Sequence, residues 1–146
     1  MDELDLKILN ELKANSRATA SEISRQINLS VPAVAERIRK MESTGTIERF
    51  TVKINRAKQN YHLLAFIMVV IDHTQNILPF REEICRCPNV LECHHLAGTA
   101  DYMLKVLVRN TLELEDFLMN KLKKIEGVVS SNTFISLSTL KEEINL

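Results

Sequence analysis

The hydrophobic period of this chain changes near residue 60, and that change limits the fold more than any other feature. Before it, apolar residues recur every three or four positions: Leu4, Ile8 and Leu12 with Leu9 beside them, then Ile23 and Ile27, then Val34, Ile38 and Met41. Such a repeat lays one apolar stripe along a helix. Just after it, Leu63 to Ile71 is an unbroken apolar run of nine residues. A bilayer-spanning helix needs roughly 20, so no membrane partner is expected. The run reads instead as a strand buried on both faces.

Capping residues punctuate the helical part. Asp2 can start the first helix, with Asp5 near the positive end of its dipole. Thr19-Ala20-Ser21-Glu22 has the spacing of a capping box. Asn28 suits the left-handed residue of a tight turn, Ser30 can cap a third helix, and Pro32 is tolerable in its first turn. Gly45 ends that helix, and a short extended stretch is expected over Phe50 to Ile54. Two helices joined by so short a turn form a helix-turn-helix.

The remainder alternates strand and helix: strands over 63–72, 90–97, 102–109 and 128–137, helices over 77–86 and 111–124. In the second helix Thr111 is the expected cap, with acidic residues early and Lys121, Lys123 and Lys124 late, as the dipole favours. The order βαββαβ is the ferredoxin-like split unit, an antiparallel sheet with helices on one face. A second copy of the chain is the natural cover for the other face. The expected organisation is α+β: a (winged) helix-turn-helix over 1–55, a linker over 56–61, and a ferredoxin-like ligand-sensing and oligomerisation domain over 62–146.

Net charge is zero overall but uneven. Residues 1–60 hold 11 Lys/Arg and 8 Asp/Glu, whereas residues 61–146 hold 8 and 11. The basic half suits a polyanion and the acidic half does not. From Val31 to Lys58, seven Lys/Arg stand against three Glu, so the excess sits where a recognition helix would be. Three cysteines, an odd number within nine residues of one another, are not a disulfide framework. With an acidic N-terminus unlike a signal peptide, a cytoplasmic location is expected.

These motifs, in this order, resemble the leucine-responsive/asparagine-regulator (Lrp/AsnC) family of transcription regulators. Leu4-Asp5-x-x-Ile8-Leu9-x-x-Leu12 with Arg17 is similar to its first helix. Leu29-Ser30-x-Pro32-x-Val34-x-x-Arg37-Ile38-x-x-Met41-Glu42-x-x-Gly45-x-Ile47 looks like its recognition helix, and Gly98-Thr99-Ala100-Asp101-Tyr102 like the turn of its sensing domain. Gly127-Val128 and Thr133 fit its last strand. Asn28 and Asn60 stand where the family usually has glycine; asparagine tolerates positive φ. The resemblance implies dimers formed by packing sheets face to face, assembly of dimers into octamers, and an amino-acid effector held between sensing domains.

The expected nucleic-acid face is Ser30, Pro32, Ala33, Glu36, Arg37, Arg39 and Lys40. Arg37 is the candidate for a base edge or a nearby phosphate, Arg39 and Lys40 for phosphates, and Ser30 for a phosphate at the helix N-terminus. The Gly98–Tyr102 turn alone explains its own residues, with Gly98 for φ > 0 and Asp101 for a local backbone bond. The resemblance adds an effector site: amides near Gly98 and Thr99 for a carboxylate, Asp101 for an ammonium, with Tyr102 and Thr133 nearby. Cys85, Cys87, Cys93, His94 and His95 form the one cluster that suggests zinc, but on a strand Cys93 and His95 face away from His94. Cys85 reads more simply as a small buried hydrophobe on its helix. No metal, cofactor or catalytic residue is expected. The leading reading is an effector-modulated transcription regulator. A siroheme-decarboxylase-like enzyme on the same architecture is the alternative, and a sensing scaffold that ignores DNA is a third reading.

Overall fold

Local capping chemistry sets the first three helices. In the computed structural model, which describes residues 1–145, α1 runs Glu3–Ala14, α2 Ala20–Ile27 and α3 Val31–Ser43. Asp2 and Asp5 cap α1 reciprocally, and Thr19 and Glu22 do the same for α2. The Ser30 hydroxyl accepts from the Ala33 N–H at 3.3 Å, and Pro32 sits in the first turn of α3. Asn28 adopts the left-handed conformation (φ 57°) that turns α2 into α3. The stripes meet in a core of Ile8, Leu12, Ile23, Val34 and Met41. Each such side chain contributes roughly 1.5–3 kcal/mol on burial. Among the described residues no strand forms over Phe50 to Ile54, where Phe50, Val52 and Ile54 are exposed. A single extended segment has no ladder to join within this unit.

The second unit is built on non-local pairing. β1 (Leu63–Ile71), β2 (Val90–His95), β3 (Tyr102–Val108) and β4 (Val128–Ile135) form one antiparallel sheet in the order β2-β3-β1-β4. α4 (Ile77–Cys85) and α5 (Thr111–Asp116) cover one face. Val69 opposite Tyr102, Ile67 opposite Leu104 and Ala65 opposite Val106 point into that core with Phe80, Ile84, Phe117 and Leu122. The alternate residues Phe66, Met68 and Val70, with Met103 and Lys105, lie on the other face.

Three details differ from the sequence reading. Asn110, not Thr111, caps α5, accepting from the Glu113 N–H at 3.0 Å. The expected continuous helix over 111–124 gives way after Asp116 to a π-helical turn, Phe117–Lys121, and a 3₁₀ turn, Leu122–Lys124. The wider turn lets Phe117 and Leu122, five positions apart, both reach the core while Lys121 stays exposed. The polar stretch expected as linker is also ordered: Asn55 caps a 3₁₀ turn, Arg56–Gln59, that ends at left-handed Asn60.

The chain divides into Met1–Lys53, together with the segment that begins at Glu143, and Ile54–Glu142. Leu146, the last residue of the expected 62–146 domain, lies outside the described residues. No helix among the described residues is long and apolar enough to cross a membrane.

Candidate functional site

In the first unit, α3 offers an exposed rim of Ser30, Pro32, Glu36, Arg39 and Lys40, with Ala33 half-exposed beside them. Arg39 pairs with Glu36 one turn earlier, and both side chains are about 70 % exposed at 71 % and 69 %. Such a pair is weak in water and yields readily to a phosphate. The Ser30 oxygen is used as a cap acceptor, which leaves its hydrogen free to donate outward.

Arg37 behaves differently. Its guanidinium donates to Asp2 Oδ2 at 2.8 Å and to Asp5 Oδ1 at 2.7 Å, and its side chain is only 30 % exposed. The two carboxyls each accept the other's backbone N–H, and that bond, followed by the bond from Arg37, holds both below the ordinary 3.8. The same contacts raise Arg37. Sequence reasoning missed this link because it spans 35 and 32 residues. Arg37 Nη1 therefore already has two carboxylate partners at the N-terminus of α1, which compete with the expected contact to a base edge or a nearby phosphate. The adjoining hollow, about 460 Å³, is lined by Asp2, Asp5 and Glu36 together with Arg37 and Lys40, so it carries charges of both signs.

In the second unit, the loop between β2 and β3 borders a cavity of about 470 Å³. Gly98 and Thr99, two of the expected effector residues, line it together with Ala100. Its other walls include Met68 and Val70 of β1, Leu96, and Asn132 and Phe134 of β4, none of which the sequence reading singled out. Strand alternation carries the signal, since 68 and 70 share one face and register puts Met68 opposite Asn132.

The loop is closed by Leu96 N–H donating to the Asp101 carbonyl at 2.8 Å and Asp101 N–H donating to the Val69 carbonyl at 2.9 Å. Between these bonds the amides of Gly98, Thr99 and Ala100 find no acceptor among the described residues. Consecutive free amides make a site for an anion or a carboxylate. Gly98 does not have the positive φ expected of it, and a Cβ there would meet nothing within 4 Å. Nothing inside this unit requires glycine at that position.

The other three expected effector residues are placed elsewhere. The Asp101 carboxylate accepts the Ile71 N–H at 2.7 Å, so it fixes the loop to β1 and does not line the cavity. Tyr102 is 1 % exposed on the helix-covered face, where its hydroxyl accepts from Arg81 Nε at 2.7 Å and its ring stacks on His95. Thr133, opposite Ile67, shares that covered face. Because side chains alternate across the sheet, Tyr102 and Thr133 cannot reach a ligand on the other side.

The cysteines do not converge on a site. Cys93 and His95 face the helices, whereas His94 points the other way and bonds Glu92. Burial, helped by neighbouring Cys85, pushes the Cys93 thiol up to about 11, away from the thiolate a metal needs. Cys85, expected on the buried side of α4, is exposed, and Ile84 takes the inward place. Among the described residues no group of three His, Cys, Asp or Glu could hold a metal ion.

Comparison with known proteins gives two matching family models. Residues 1–48 match a winged helix-turn-helix DNA-binding domain, and residues 64–146 match the Lrp/AsnC ligand binding domain. An uncharacterized HTH-type transcriptional regulator of Pyrococcus abyssi is 36 % identical over 146 residues, covering 99 % of this chain and 97 % of its own. The HTH-type transcriptional regulator LrpC of Bacillus subtilis is 32 % identical, covering 95 % of each chain. The crystal structure of a Neisseria meningitidis transcriptional regulator in complex with L-Met superposes with a TM-score of 0.95 at 27 % identity, covering 100 % of this chain and 96 % of that one.

Proposed function

The chain belongs to the Lrp/AsnC family of DNA-binding transcription regulators with a ligand-binding domain, and from that premise we propose that it is a cytoplasmic, sequence-specific regulator whose assembly or DNA binding responds to an amino acid. It is a regulator and not an enzyme; the decarboxylase reading has no support among its relatives, which are named as regulators. The single observation that carries the DNA-binding mode is the capped α3 with Arg39 and Lys40 exposed on its outer rim.

Ser30, Arg39 and Lys40 meet phosphates and set the register of α3 on the duplex. Pro32, Ala33 and Glu36 face the base edges, and Arg37 positions α3 from behind through Asp2 and Asp5. The effector's carboxylate sits on the amides of Gly98, Thr99 and Ala100, while Asp101 holds the loop that presents them. What supports an amino acid is this row of unsatisfied amides, together with the L-Met bound by the Neisseria relative. The uncovered sheet face, with Phe66, Met68 and Met103, is where a second copy packs, and such dimers are the unit from which an octamer is built.

The test is a fluorescence-anisotropy titration of the full chain with its operator at several salt concentrations. Arg39→Ala and Lys40→Ala should each weaken binding to all sequences and reduce the salt slope by about 1. An unchanged slope in both variants would remove this face from the interface.

A further inference from the structure

Along α3, Pro32, Glu36, Arg39 and Ser43 recur every three or four positions, opposite the inward stripe of Val34, Ile38 and Met41, and all four are exposed. We propose that Glu36 selects the operator by hydrogen bond, its carboxylate accepting from the amino group of a cytosine in the major groove while Arg39 balances its charge. The inference rests on the DNA-binding mode above and names the base pair which that mode selects.

In a helix-turn-helix, residues near the N-terminus of the second helix meet the base edges. α3 begins at Val31, so Pro32, Ala33 and Glu36 lie in its first two turns and Arg39 and Lys40 in its third. Pro32 and Ala33 have no hydrogen-bonding group in their side chains, so their contacts with bases are apolar. Glu36 is the one polar group of the three, and an ionised carboxylate accepts hydrogen bonds without donating any. The cation next to it in sequence, Arg37, donates to Asp2 and Asp5 at 2.8 Å and 2.7 Å.

An acid on a face offered to a polyanion weakens binding to every duplex, and this is offset only where the groove presents a donor. In the major groove the donors are cytosine N4 and adenine N6. Adenine N6 stands between two acceptors, its own N7 and thymine O4, which repel a carboxylate. Cytosine N4 has only guanine O6 beside it, so a C·G pair suits Glu36 best. Arg39 pairs with Glu36 from one turn later, and both side chains are exposed. Its planar fork of donors can hold a carboxylate and a phosphate together.

Selection of bound duplexes from a random pool by the full chain, then anisotropy titration of the selected duplex and its single-pair variants, tests this. The half-site should contain a C·G pair whose reversal to G·C weakens the parent about tenfold. Glu36→Ala should abolish that preference and no other. Glu36→Gln should move it to A·T, where an amide matches adenine N6 and N7. Lys40→Ala should weaken binding to all these duplexes and keep the preference, as a phosphate contact does. A Glu36→Ala chain with the parent's circular dichroism spectrum and every base preference of the parent would overturn the assignment and leave α3 on DNA. If the only preference it loses is for an A·T pair, cytosine is the wrong base and the proposal is overturned. If the parent selects no base at all, the sequence-specific reading and this inference fail together.

Discussion

In the N-terminal unit every helix is started by a bond that spans three residues: Asp2 to Asp5, Thr19 to Glu22, Ser30 to Ala33. In the C-terminal unit α5 starts in the same local way, from Asn110, but the sheet and its loops are fixed across long stretches of chain. Asp101 fixes Ile71 from 30 residues away, and Gly127 packs against Asn76. One unit is settled locally before its core closes; the other needs its sheet to form first. Local contacts close cheaply, whereas non-local ones must first overcome the entropy of loop closure. The difference marks where each unit is vulnerable.

The sharpest way to break the contrast is at Gly127. Its φ is +88°, and a Cβ there would lie 2.4 Å from Asn76 Cβ, a residue held in turn by Asp72 at 2.8 Å. Gly127→Ala should destabilise the second unit by about 2 kcal/mol. Tyrosine fluorescence during urea unfolding reads that unit alone, because both tyrosines, Tyr61 and Tyr102, lie in it. A midpoint that does not move would mean the turn relaxes freely.

Thr19→Ala should cost about 1 kcal/mol, the usual value of a lost N-cap. The loss should appear in the far-ultraviolet helical signal and leave the tyrosine transition in place. Equal shifts of both signals would show that the two units melt as one, and the local-against-distant distinction would fall.

The smallest effect is expected in acid. Asp2 and Asp5 have lowered values in the fold, so their contribution is complete above the ordinary 3.8 and is lost as pH falls through the lowered values. Helical melting of the parent should therefore decline between about pH 5 and about pH 3 more than that of Asp5→Asn. Parallel declines would show that the Asp–Arg37 contact does not hold α3.

The same division explains what could be read from residues alone. Asp2, Thr19, Asn28 and Ser30 act within a few positions of themselves, so the helices and their ends were legible. The order of strands was legible from alternation and run length. Asn110 displaced the expected Thr111 cap because either residue satisfies the pattern and only the loop geometry after β3 chooses. The π-helical turn follows from packing Phe117 and Leu122 together, which periodicity of 3.6 does not encode. At the cavity, the motif singles out Gly98 and Thr99, but Met68 and Asn132 join them only through the β1–β4 register. Tyr102 and Thr133 lie on the face opposite the cavity, because a motif lists neighbours in sequence and says nothing of which side of a sheet they take.

The clamp of Asp2 and Asp5 on Arg37 separates the frame of the reading head from its lettering. In the proposed DNA-binding mode, a cation held internally is withdrawn from the choice of target, and the alphabet of α3 is left to Pro32, Ala33 and Glu36, none of which supports the core. Descendants of such a chain can be retargeted by exchanging those small or solvated side chains while the scaffold beneath stays untouched.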